Sequence, residues 1–139
     1  MFKTVMIPVD VSDTTDTETL LAAARTLTAG WDATLHVVTV VPDFGMAIVG
    51  SYFDDKFESA SHTEAEVKLT AAIADAGLDA NHHVLHGKIY DRLIAHAKML
   101  DADLILIGAH QPALGDYLLG SNAARIVRHA KQSVMVLRT

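Results

Sequence analysis

The run LILIGAHQPALGDYLLGSNAARIVRH, residues 104–129, decides how this chain reads. Its first four residues, Leu104 to Ile107, are continuously apolar, the pattern of a strand buried on both faces of a parallel sheet. Gly108 ends that strand, and Pro112 and Gly115 mark a loop. Gly120-Ser121-Asn122 then opens a helical pattern with Ala123, Val127 and Ala130 on one face. A helix start presents unpaired backbone N–H groups and a partial positive charge. A glycine in front of it lets a ligand come close to the backbone. Strand, glycine-bounded loop, small polar residues and helix start together suit a phosphate. The same Ser and Asn are also ordinary helix caps, so both readings stand at this point.

Outward from that unit the chain repeats strand and helix. Val5-Met6-Ile7-Pro8-Val9 reads as a buried first strand, with Pro8 placed near its end because it has no N–H to give to a ladder. Asp10-Val11-Ser12-Asp13 is a loop, in which Asp10 caps the helix, closes an Asx-turn or meets a ligand. Thr15 and Glu18 have the spacing of a capping box. The helix behind them carries Leu20, Ala23, Ala24 and Leu27 on one side and stops at Gly30. Residues 33–41 form the second strand. From Asp43 to about Asp55 periodicity is lost, although Phe44, Met46, Ile48, Tyr52 and Phe53 are apolar. That connection is expected to be a lid or a partner surface. A second helix is predicted over 57–76, a third strand over 81–86 and a third helix around Leu93, Ile94, Ala97 and Leu100. A fifth strand covers 133–138.

The order βαβαβαβαβ implies a parallel sheet covered on both faces. The first and fourth strands carry the polar and glycine signals at their C-terminal ends: Asp10 and Ser12 at one, Gly108 and His110 at the other. In open α/β sheets, ligands bind beyond the strand ends where the order reverses. The expectation is therefore an α/β fold. It is a single Rossmann-like, open, doubly wound, five-stranded parallel sheet of order 3-2-1-4-5.

Composition narrows the function. One domain fits 139 residues, and 50% of them are hydrophobic, enough for a sizeable core. The formal net charge of −6 argues against nucleic acid as the partner. There is no cysteine, hence no disulfide or thiolate chemistry. No apolar run approaches the ~20 residues of a membrane span. Met1-Phe2-Lys3-Thr4 leads straight into a strand pattern without a signal-peptide layout. A soluble, cytoplasmic protein is expected, with neither membrane nor nucleic acid as partner.

These residues resemble a known family. Ile7-Pro8-Val9-Asp10-Val11-Ser12, Gly87 before the third helix, Ile107-Gly108-Ala109-His110 and Leu119-Gly120-Ser121-Asn122 are similar to the motifs of universal stress proteins. So are Val127-Arg128-His129-Ala130 and Ser133-Val134-Met135-Val136. The resemblance covers essentially the whole chain, as one domain over 1–139. It is nearest to the bacterial subgroup with a short Tyr-Leu-Leu-Gly-Ser-Asn loop, here Tyr117 to Asn122. In the nucleotide-binding branch a Gly-x-x-Gly is followed by nine intervening residues and then by Gly-Ser or Gly-Thr. Gly108 and Gly120-Ser121 match, but the second glycine is Gln111 and the spacing to Gly120 is one residue short. The family's Gly-x-Pro is Gly87-Lys88-Ile89.

The resemblance implies ATP or AMP as ligand, with or without Mg²⁺. By position, Pro8 and Val9 flank the adenine and the Val40 backbone reads its edge. Asp10 sits near the ribose or a metal ion. Gly108, His110 and Gln111 line the sugar and phosphate side, and Gly120, Ser121 and Asn122 hold phosphates. It also implies a homodimer through the apolar last strand, Val134-Met135-Val136-Leu137. Without a mate, that strand is an edge that needs cover. The function so implied is a regulatory stress-response module that binds adenine nucleotide. Two other readings stand beside it. One is a slow ATPase or self-phosphorylating protein, with Ser121 the acceptor, although no G-x-x-x-x-G-K-[ST] and no Ser-His-Asp arrangement is present. The other is a structural dimer without nucleotide.

Two charged groups complete the reading. His82, His83 and His86 resemble a metal cluster, yet His83 and His86 fall on opposite faces of a strand and no carboxylate stands at ligand spacing. Arg128 and Lys131 suit the end of the last helix, while Arg125, one turn earlier, has the reach for a terminal phosphate.

Overall fold

The structure is a computed structural model; it describes residues 1–42, 51–109 and 121–138, and of 51–58 the backbone alone. Five strands alternate with four helices: β1 (Thr4–Pro8), α1 (Thr14–Thr28), β2 (Thr34–Pro42), α2 (Ser51–Asp75), β3 (Asn81–Gly87), α3 (Ile89–Met99), β4 (Leu104–Gly108), α4 (Ser121–His129) and β5 (Ser133–Leu137). The strands are parallel and ordered β3-β2-β1-β4-β5. The chain builds outward from β1 to β3, then crosses back to lay β4 on the other side of β1. The reversal therefore lies between β1 and β4, as their end residues predict.

Strand alternation sorts the core into two layers. Val5, Ile7, Leu35, Val37, Leu104 and Leu106 face α1 and α2, where they meet Leu20, Leu21, Leu69 and Ile73. Met6, Val38, Val40, Ile105 and Ile107 face α3 and α4, where they meet Leu93, Ala97 and Ile126. Continuous apolar runs in β1 and β4 are thus the consequence of helices on both faces. β1 and β4 are the most deeply buried strands, with Val5, Met6, Ile7, Ile105 and Leu106 at 0% exposure.

Two local expectations are corrected. The first concerns the cap of α1: Asp13, not Thr15, is the N-cap. Its Oδ1 accepts from the Asp16 N–H at 3.0 Å. The loop after β1 turns tightly, with Asp13 N–H donating to the Asp10 carbonyl at 3.0 Å, so the helix starts before the Thr15–Glu18 pair. Asp also caps somewhat better than Thr. The second concerns α2, which starts at Ser51 rather than near 57. Of the 43–55 connection expected from sequence, 51–55 are helix, and 43–50, with Phe44, Met46 and Ile48, lie outside the described residues. The side chains of Tyr52 and Phe53 do too.

Gly77 ends α2 in the left-handed region, at φ +62, and Leu78 N–H reaches back to the Ile73 carbonyl at 3.2 Å. At the same, N-terminal end of the strands, Asp103 ties the α3–β4 turn to β1. Its carboxylate accepts from Lys3 N–H at 2.9 Å and Thr4 N–H at 3.0 Å. Among the described residues no helix is long and apolar enough to cross a membrane.

Candidate functional site

The C-terminal ends of β1 and β4 lie on either side of the reversal. At the end of β1, Pro8 pairs in register with Val38. Val9 carries the contact one residue further, its N–H donating to the Val38 carbonyl at 2.8 Å, and is 1% exposed. With a period of two along β2, Val40 repeats the orientation of Val38, so its backbone faces the space beyond the end of β1. The Val40 side chain is buried in the layer under α3 and α4.

Asp10 closes an Asx-turn. Its Oδ1 accepts from the Ser12 N–H at 3.0 Å and from the Ser12 hydroxyl. Its carbonyl accepts from the hydroxyl of Thr17, itself buried on α1, at 2.7 Å. The turn therefore fixes Asp10 to α1 and leaves Oδ2 without a partner among the described residues. Thr17 is a positioning group that sequence reading missed; its signal was a polar residue on the buried face of an amphipathic helix.

At the other side, Gly108 is buried and pairs with Leu137, and Ala109 N–H extends the pairing to the Leu137 carbonyl at 2.9 Å. His110, Gln111 and Gly120, with Pro112, Gly115 and the Tyr117–Leu119 part of the loop, lie outside the described residues. Ser121 is the first residue of α4 and is exposed; Asn122 is half-buried. The structure thus brings Pro8, Val9, Asp10 and Gly108 together at the C-terminal ends of two adjacent interior strands, with Val40 one strand away.

Arg125 has another engagement. Its guanidinium carbon lies 3.9 Å from the centre of the Tyr90 ring, joining α4 to α3, and His129 meets the same ring edge-on at 6.4 Å. Cation–π contact and helix packing account for it.

The histidines of β3 split between two faces, as their spacing predicts. On the α3 side, His83 Nε2 lies 2.9 Å from Nδ1 of His36 on β2, and its ring stands edge-on to His96 of α3 at 4.6 Å. Burial, then the neighbouring His96, His36 and His82, push the His83 imidazole down to about 4. Burial also lowers His36 and His96, the latter with help from His36 and Arg92. On the α2 side, His86 Nε2 lies 2.8 Å from Nδ1 of His62, and His82 Nε2 lies 3.2 Å from Glu66 Oε1. Among the described residues no three His, Asp or Glu side chains are placed to share a metal ion. The partners His36, His62 and His96 come from distant parts of the chain. Only the His62–Glu66 spacing of four on a helix was a visible signal.

Comparison with known proteins agrees with this architecture. The model of the Universal stress protein family matches residues 1–138. Universal stress protein G of Salmonella typhimurium is 32% identical over 143 residues, which cover 99% of this chain and all of that one (100%). Among the solved structures that share the fold are two in complex with a nucleotide. A universal stress protein in complex with cAMP aligns with a TM-score of 0.62 and 24% identity, over 99% of this chain and 97% of its own. The universal stress protein from Archaeoglobus fulgidus in complex with dAMP aligns with a TM-score of 0.63 and 21% identity, over 96% of each chain.

Proposed function

This chain belongs to the universal stress protein family, and from that premise we propose that it binds an adenine nucleotide, ATP or AMP, at the reversal between β1 and β4. In this reading it is a regulatory stress-response module that works as a dimer. The observation that carries the reading is the convergence at the C-terminal ends of β1 and β4. Pro8, Val9 and Asp10 end one central strand, Gly108 ends its neighbour, and the N-terminus of α4 follows with Ser121. Solved relatives that bind cAMP and dAMP support an adenine nucleotide as the ligand class.

The chemistry of the described residues fits such a ligand. Pro8 and Val9 bring the end of β1 to the gap, and the Val40 backbone faces the space beyond β1, suited to an adenine edge. Gly108 has no side chain to obstruct a ribose. The exposed Ser121 hydroxyl and the first N–H groups of α4 suit phosphate oxygens. His110, Gln111, Gly120 and Asn122 would complete the sugar and phosphate side. Asp10 keeps one carboxylate oxygen for a ribose hydroxyl or for Mg²⁺, which prefers oxygen ligands and would neutralise phosphate charge when bound. Occupancy regulates only if the nucleotide binds two conformations of the protein or dimer with different affinity.

The test is direct. Purified protein is denatured, the released small molecules are separated, and ATP and AMP are titrated with magnesium into the emptied sample. The expected result is stoichiometric adenine nucleotide, with binding lost in Gly120→Val and weakened in Ser121→Ala. No released nucleotide and no binding up to millimolar ATP would sink the proposal.

A further inference from the structure

Six of the chain's eight histidines gather around one edge strand. Among the described residues β3 pairs only with β2, at the margin of the sheet. On its α3 side stand His83, His36 and His96; on its α2 side stand His82, His86 and His62. Each face holds one pair of imidazole nitrogens in hydrogen-bond contact, at 2.9 Å for His36–His83 and 2.8 Å for His62–His86. Such a pair needs a proton on one facing nitrogen and a lone pair on the other. It survives one added proton and not two, because two N–H groups and two positive charges then face each other.

The two faces differ in what surrounds them. On the α2 side Glu66 lies 3.2 Å from His82 and 3.7 Å from His62, so a carboxylate is at hand for positive charge. On the α3 side the facing groups are His36 from β2, His83 from β3, and His96 and Arg92 from α3; His82, next to His83 in the chain but on the opposite face, adds its charge through the strand. None of these is an acid. His96 is 6% exposed and its Nε2 has no partner among the described residues, so nothing there receives an added proton's hydrogen bond.

We propose that this edge is an acid-released latch: neutral imidazoles clamp α3 onto β2 and β3, and protonation of the His36–His83–His96 group parts α3 from that edge while Glu66 and its histidines keep β3 tied to α2. Acidification is thereby converted into exposure of an apolar face carrying Val38 and Leu85, at a place distinct from the reversal between β1 and β4. The sign follows from linkage. Burial keeps the three imidazoles neutral in the closed form, whereas an open form binds protons near the ordinary value of 6.5. Closure is therefore fully favoured above 6.5 and lost as pH falls from there towards about 4, the value for His83. Between pH 7 and 5, His83 alone would shift the open-to-closed ratio on the order of tenfold.

Native-state hydrogen exchange of the full chain tests this, with rates corrected for intrinsic pH dependence. From pH 7 to pH 5, amides of β3 and α3 are expected to lose on the order of tenfold protection relative to those of β1 and β4. In His83→Leu that difference should shrink. A wild-type titration of the imidazole signals serves if the variant does not fold; His36, His83 and His96 should then remain neutral well below 6.5 and change together as α3 opens. Unchanged relative protection, loss of protection in all strands at once, or three imidazoles titrating independently at their ordinary value would each overturn the latch.

Discussion

Asp10, Asp13 and Asp103 show one side-chain type used in three ways by backbone geometry. Asp10 closes a turn onto Ser12, Asp13 caps α1, and Asp103 pins the first residues of β1 to the turn before β4. The Lys3 N–H, then the Thr4 N–H, hold the Asp103 carboxyl below its ordinary value of 3.8, against an opposing effect of burial. A carboxylate held low stabilises the fold at every pH above its unfolded value, and that contribution fades as pH falls through the folded one. Asp103→Asn is therefore expected to cost about 1 kcal/mol at neutral pH, a charged hydrogen bond discounted for exposure. In urea unfolding the gap to wild type should narrow as pH falls below 3.8. A gap that stays constant between pH 7 and 3 would contradict this account.

At the scale of elements, α4 is the most exposed to change. It spans nine residues, and Ile126 is its one fully buried side chain. Ile126 sits at 1% exposure in the layer shared with Leu93, Ala97, Ile105 and Ile107. Arg125 on Tyr90 adds a surface contact to α3. A helix this short is marginal by propensity and depends on packing. Ile126→Ala is expected to lower stability by about 2–5 kcal/mol. If α4 presents its N-terminus to phosphate, the same change should weaken adenine nucleotide while leaving the β1–β2 register intact. Urea unfolding and nucleotide titration on one sample check both. Stability lost with affinity unchanged would place the phosphate elsewhere.

Across the whole molecule, the two sheet edges are managed differently. β3 is guarded by histidines on both faces. β5 ends the sheet with Val134, Val136 and Leu137 half-buried in the single chain. Leu137 turns its carbonyl to Ala109, so by alternation Val136 turns its N–H outward. If β5 meets a second copy, Val136→Pro removes an outward donor at modest cost to the chain itself. Sedimentation is expected to give a dimer for the wild type and a monomer for this variant. A wild-type monomer at tens of micromolar would refute the dimer.

Alternation of apolar runs with amphipathic segments determined the element order, and the polar residues after β1 and β4 located the reversal, because burial on both faces leaves a one-dimensional trace in hydrophobicity. The family resemblance was equally legible in Pro8-Val9-Asp10, Gly108 and Gly120-Ser121-Asn122. Other features depended on contacts between residues far apart in the chain. The cap at Asp13 was set by how tightly the chain turns after Asp10, and the anchoring of that turn by Thr17 needed α1 in place. The pairing of His83 with His36 and His96, and of His86 with His62, joins residues brought together only when β2, β3, α2 and α3 pack. Sequence spacing could separate His83 from His86 by face. Which imidazole each would meet, and whether a carboxylate stood beside it, was decided by tertiary structure, since periodicity encodes the direction of a side chain but not its neighbour across the fold.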